Sequence, residues 1–318
     1  MITLEHVYWL TGAMMAGVAM INASDASNPR RANNTAFWGI YAVTFLVGSY
    51  LPDLVNGFLV IAMVIAASVR GLGQGKGEAA SRAEREASAN RWRNKLFIPA
   101  LTIPIVTVLG TLVFKRISIN GSPLVDVKQV TVISLAISTI VALAIGMLML
   151  RPPLLAPIRE ARRLLDAVGW AAVLPQMLAA LGALFALAGV GNVVSGIAQR
   201  WIPLDHPFAV VTTYAIGMAV FTMIMGNAFA AFPVMTAGIG LPLIVHKFGG
   251  DPTIMAAIGM LSGFCGTLMT PMAANFNIVP TALLELPDEN AVIKVQIPTA
   301  LILLGANILL MNLLVFRR

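Results

Sequence analysis

Apolar residues run through this chain in blocks, with polar residues gathered between them. Blocks near the ~20 residues that a helix needs to cross a bilayer fall at about 5–23, 35–51, 53–70, 96–114, 130–150, 170–190, 256–283 and 298–316. Each predicts a transmembrane helix. The second and third meet at Tyr50-Leu51-Pro52-Asp53, which predicts a tight turn. The first block carries Glu5 and His6 ahead of its apolar run and no Lys or Arg, so it predicts a retained helix and not a signal peptide.

The most polar segment is 70–95, "RGLGQGKGEAASRAEREASANRWRNK", with seven basic residues and three Glu. Its glycines lack phosphate-loop spacing, because Gly77 follows Lys76 where a hydroxyl residue is required. It predicts a solvated loop with a short charged helix. Segment 151–170 places Arg159, Arg162, Arg163 and Asp166 at helical spacing with Leu164, Leu165 and Val168 among them. That pattern predicts an amphipathic helix on the membrane surface.

With loop 70–95 inside, the N-terminus lies outside, 24–34 inside, 115–129 outside, 151–169 inside and 191–205 outside. Fourteen of the 21 Lys and Arg then face the cytoplasm, as the positive-inside rule expects. Arg317 and Arg318 run against the bias.

Region 206–245 is apolar but admits two readings. Either 207–225 and 229–245 both span, or the chain forms a re-entrant hairpin at about 219–243. The turn between them, Met225-Gly226-Asn227-Ala228-Phe229, has no charge. A turn so apolar belongs inside protein or beside a cavity, which favours the hairpin. The next element, 254–286, places Gly263, Gly266, Thr267, Thr270, Pro271, Asn275, Asn277 and Pro280 in quick succession. Proline removes a backbone donor and disfavours helix in the residue before it, so a helix broken around Thr270-Pro271 is expected. Freed carbonyls and Thr and Asn oxygens suit a cation; the positive end of a half-helix suits an anion. The competing reading is close packing by small residues, but the concentration of Asn, Thr and Pro in two neighbouring elements argues for a binding site.

Composition agrees with the pattern. The chain is 58% hydrophobic and 11% charged, with mean hydropathy +0.85, against about 25% charged residues in soluble domains. It is expected to be an all-α, multi-pass membrane protein. The net charge of +7 marks cytoplasmic loops and no nucleic-acid partner. One cysteine, Cys265, reads as a small packing residue, and the five Trp residues read as an interfacial belt. His6, His206 and His246 are scattered, so no metal site beyond a sodium site is expected. Ser195 and Ser262 lack a His partner, so no enzyme is expected. No acid falls near the centre of a confident span, and neutral oxygens suit Na⁺ better than a proton relay.

Two resemblances rest on these residues. Residues 170–283 resemble the second half of the divalent anion:sodium symporters of the ion transporter superfamily. In that family a Ser-Asn-Thr hairpin tip precedes a Gly- and Pro-containing connector and a broken helix. Here Gly226-Asn227-Ala228, then Pro233, Gly249-Gly250-Asp251-Pro252 and "GTLMTPMAANFN" keep the order, although only Asn227 matches the tip motif. Over essentially its full length the chain also resembles the larger subunit of bacterial two-component 5-oxoproline transporters, a family first defined as a domain of unknown function.

These resemblances imply a bacterial inner-membrane symporter subunit. Residues 1–95 would be accessory helices and 96–318 one transporter half. Gly226, Asn227, Ala228, Thr267, Thr270, Pro271, Asn275 and Asn277 would hold a carboxylate or Na⁺ near the midplane, with Gly266 and Pro271 holding the break open. No internal repeat is visible, so a second, smaller membrane subunit would supply the other half.

The orientation is directly testable. A Cys265→Ala, Ser88→Cys chain in right-side-out vesicles should resist a membrane-impermeant maleimide until the vesicles are permeabilised. Labelling of intact vesicles would reverse the topology.

Overall fold

A computed structural model describes all residues except 70, 74, 76–81, 120, 121, 202–204, 285 and 318. The chain is an all-α integral membrane protein. Seven helical runs among the described residues are long and apolar enough to cross a bilayer: Leu4–Ser24, Glu86–Arg116, Val127–Leu150, Ala156–Leu187, Pro207–Met225, Ala228–Lys247 and Ala291–Leu314. The expected spans at 35–51 and 53–70 are shorter, helices of 17 residues each. The Gly-rich start of the basic loop lies largely outside the described residues.

The chain divides into two compact units, Met1–Asp166 and Ala167–Arg318. In the first, α1 (Leu4–Ser24) packs along α2 (Arg31–Val47), and α2 packs on α3 (Asp53–Val69). The charged helix expected in the basic loop is α4 (Arg82–Trp92). Helices α5 (Phe97–Val113) and α6 (Val130–Leu150) form an antiparallel pair, with Thr107 Oγ1 2.9 Å from Ser138 Oγ. Their connection carries a two-residue antiparallel ladder, β1 (Ser118–Ile119) with β2 (Ser122–Pro123), and Ile2 bridges to Val125 beside it.

The amphipathic α7 (Ala156–Val168) brings a polar knot to the end of the α1–α2 pair. The carboxylate of Asp166 is buried and accepts hydrogen bonds from Trp38 Nε1 at 2.8 Å and Asn22 Nδ2 at 3.2 Å. Arg162 pairs with Asp25 at 2.9 Å, and Asn28 and Asn34 both donate to the carbonyl of Gly73. Trp38 is fully buried and so is not part of an interfacial belt.

The second unit begins with α8 (Leu174–Leu187) and α9 (Val190–Trp201), separated by Gly189 in the left-handed region. Sequence pattern assigns 191–205 to a loop; the structure makes most of it helix, because α9 finds an apolar partner in the segment described next. Helix α10 (Pro207–Met225) turns at Gly226-Asn227 into α11 (Ala228–Met235), which continues as a π-helix over Thr236–Lys247. Helix α8 packs on α11, and α9 on the π segment.

The chain then re-enters through Gly249-Gly250-Asp251 into α12 (Pro252–Thr267). Asp251 caps α12 by accepting from Ile254 N and Thr253 N, and these bonds hold its carboxyl below the usual range. A non-helical stretch leads to α13 (Ile278–Leu283), and α14 (Ala291–Leu314) returns to the start of α12, where Asp251 N donates to Val315 O at 2.8 Å. The core holds Tyr214, Met218, Met235, Ile239, Met255 and Met311. Cys265 packs among Ala215, Ala219, Ala300 and Leu304, as expected of a small apolar residue.

Helices α10 and α12 run parallel and very close. A side chain on Gly266 would collide with the Ala219 carbonyl. Gly266 therefore serves close approach, and Gly266→Leu should destabilise the protein by about 1–3 kcal/mol, the usual cost of overpacking. Thermal unfolding in detergent checks this; an unchanged midpoint would show that the α10–α12 contact is loose.

Candidate functional site

The hairpin tip and the helix break meet. Gly226 ends α10 with φ 71°, a conformation that glycine adopts without the steric cost a side chain incurs. A Cβ at this position would lie 2.5 Å from the Met272 carbonyl oxygen, so only glycine admits both the turn and the contact. Asn227 follows in extended conformation and caps α11, its Oδ1 accepting from Phe229 N at 2.8 Å. Ala228 is buried against the position of Gly263.

The break is built by proline and closed by an amide. A continuing helix would carry a bond from residue 271 to the carbonyl of Thr267, but Pro271 has no N–H. The helix accordingly ends at Thr267, ahead of the Thr270-Pro271 point that sequence suggests. The orphaned Thr267 carbonyl accepts from Asn277 Nδ2 at 2.8 Å, and the same nitrogen reaches the Thr270 carbonyl at 2.6 Å. Thr270 ties the break to the hairpin: its Oγ1 donates to Met223 O at 2.9 Å and accepts from Met272 N at 3.2 Å. Thr267 is buried with its hydroxyl donated to Phe264 O.

The structure thus brings Gly226, Asn227, Ala228, Thr267, Thr270 and Asn277 to one place. Asn275 and Pro271 lie on the exposed side of the turn, so the described contacts do not draw Asn275 into the cluster. One residue not expected from sequence joins it: Thr222 lies one turn before the tip, its hydroxyl against the position of Gly263. The side-chain oxygens Asn277 Oδ1 and Thr222 Oγ1 are buried and, among the described residues, have no hydrogen-bond partner. A lone Thr inside an apolar run carries no sequence signal that separates it from a helix-packing residue.

The 24-residue α14 is about 36 Å long, the 16-residue α12 about 24 Å and the 19-residue α10, parallel to α12, about 28 Å. Lateral contacts set the level of the break: Cys265, two residues before the end of α12, packs on Ala300 and Leu304 and lies 3.6 Å from Asn307 Nδ2, so the break faces the middle of α14.

Chemically, this is a neutral, oxygen-rich junction. It has no carboxylate, and among the described residues no group of three or more His, Cys, Asp or Glu is placed to hold a metal ion. Amide and hydroxyl oxygens without formal charge suit a monovalent cation better than Mg²⁺ or Ca²⁺, which recruit carboxylates. The backbone N–H groups at the start of α11 suit an anion, although Asn227 already occupies one.

The Asn277 bonds generate a prediction. Asn277→Ala leaves two buried carbonyls without their donor and should cost about 2–4 kcal/mol, read as a lowered unfolding midpoint. Stability equal to that of the native chain would mean that water replaces the amide.

No curated protein and no solved structure matches the chain. A family model described as "Protein of unknown function (DUF979)" matches residues 5–316, and the chain belongs to that family.

Proposed function

We propose that this chain is one subunit of a bacterial inner-membrane secondary transporter for a small carboxylate, coupled to Na⁺. The observation that carries the reading is the pair of buried oxygens, Asn277 Oδ1 and Thr222 Oγ1, that among the described residues lack a partner beside the junction of hairpin tip and helix break. Buried polar atoms are almost always paired, and a bound ion or substrate would pair these. The α11 N-terminus supplies the complementary preference for a carboxylate. The resemblance to two-component transporters supports 5-oxoproline as the substrate and a second, smaller subunit as the source of the missing half-site. The absence of a second hairpin and break among the described residues supports the same division.

A second reading has specific support. Asn227 Oδ1 is used as a helix cap, and Asn277 Nδ2 as a clamp on the break. A membrane scaffold that holds a partner by such features would need nothing more of them.

Labelled 5-oxoproline uptake into proteoliposomes, with and without the partner and a Na⁺ gradient, separates the two. Transport should require both chains and the gradient. Asn227→Ala should abolish uptake and also cost about 1 kcal/mol of stability through the lost cap. Asn227→Ser keeps a capping oxygen and removes the amide, so it should retain stability and lose uptake by tenfold or more. Full uptake by Asn227→Ser would confine Asn227 to capping. A pair that assembles but carries no substrate under any gradient would favour the scaffold.

A further inference from the structure

A second feature lies in the first unit, at the end of the α5–α6 pair. The pair's register, with Thr107 beside Ser138, brings the start of α5 level with the end of α6. There, Arg91 and Trp92 of α4 face Leu148, Met149, Leu150 and Arg151 across a cavity of about 400 Å³. The Arg91 guanidinium stands over the Trp92 ring, 5.5 Å from its centre. Arg93 and Lys95 follow within one turn. Beside the arginines the lining is apolar at Leu148, Met149 and Leu150, and Leu148 is 77% exposed, on a helix that the hydropathy pattern places in lipid.

The backbone adds a second observation. Arg151 caps α6 at φ 49°, ψ 48°, the left-handed region in which L-residues are disfavoured, and it immediately precedes Pro152, which further disfavours helical conformations. Helices that end this way favour glycine at the position. Arg93 also has positive φ, 43°. Arginine therefore stands at two sites where its backbone is strained, Arg151 in the lining of the cavity and Arg93 two residues beyond Arg91. Packing gives no reason for this, since both side chains are exposed. A ligand that needs the guanidinium does.

We infer that the cleft between Arg91-Trp92 and Leu148–Arg151 is a binding site for an anionic phospholipid. Guanidinium groups recognise phosphate oxygens in paired, charge-assisted hydrogen bonds. The volume accommodates a headgroup with its glycerol, and Trp92 marks the depth at which headgroups lie. The apolar wall leads away from the charges along the helix surface, as an acyl chain requires. A free phosphate shares the first feature and not the last.

The test uses the full chain in detergent and the unfolding midpoint as readout. Phosphatidylglycerol should raise the midpoint, whereas phosphatidylcholine and inorganic phosphate at equal concentration should not. Arg151→Gly relieves the strained backbone, so its lipid-free midpoint should equal or exceed that of the native chain. It should nevertheless need at least tenfold more phosphatidylglycerol for the same increment. Arg91→Gln should show the same loss of response, and Lys128→Gln, at the opposite end of α6, should respond as the native chain does.

Equal stabilisation by phosphatidylcholine would overturn the headgroup assignment, and equal stabilisation by inorganic phosphate would overturn the lipid. An undiminished response in both Arg variants, or a diminished one in Lys128→Gln, would remove the site. None of these outcomes depends on whether the chain transports anything.

Discussion

At membrane depth no backbone polar group can turn to bulk water, so every interruption of a helix must be closed by the protein itself. Asn277 does this for the second unit. Pro271 removes the donor that the Thr267 carbonyl would have used, and one amide nitrogen 10 residues away restores the bond and adds another to Thr270. The turn between α12 and α13 is stable because of this side chain. Thr270 then passes the constraint to the hairpin through the Met223 carbonyl. Break and tip are parts of one hydrogen-bonded junction, and whatever the junction binds must fit among groups already committed to holding it together.

That dual use explains the tension between binding and architecture at Asn227 and Asn277. A cap and a clamp leave part of each amide over: Asn277 Oδ1 remains buried and unpartnered while its nitrogen is doubly engaged. The rigid half of the side chain positions the spare half, an economical way to present a neutral oxygen at a fixed point. Thr222 follows the same logic on α10, its hydroxyl held one turn before a tip that glycine alone can form. The close parallel run of α10 and α12, made possible by Gly266 against Ala219, keeps these residues together without a charged group.

The first unit handles polarity differently. Its buried Asp166 sits at the end of the α1–α2 pair, satisfied by an indole and an amide, with Arg162 and Asp25 paired nearby. Burying a carboxylate is costly unless it is hydrogen-bonded, and here the donors come from two different helices. The knot fastens an amphipathic helix to the pair, whereas Arg91 and Arg151, beside the C-terminal end of α6, are exposed around their cleft.

Hydropathy by itself determined the class: long apolar blocks with basic connectors admit little other than a helical membrane protein, because lipid excludes unpaired backbone. It also located the hairpin turn and the break, since Gly-Asn and Thr-Pro act on backbone geometry locally, within a few residues. It did not determine which polar side chains converge. Thr222 and Trp38 look in sequence like packing or interfacial residues, and Asn275 looks like a ligand. Their sorting depends on helix rotation and on parallel packing between segments about 45 residues apart, which no local pattern encodes. The same holds for the helix at 190–201, whose apolar face becomes stable only against the π segment. The level of the break, too, was decided by tertiary contacts, those of Asp251 with Val315 and of Cys265 with Ala300, Leu304 and Asn307.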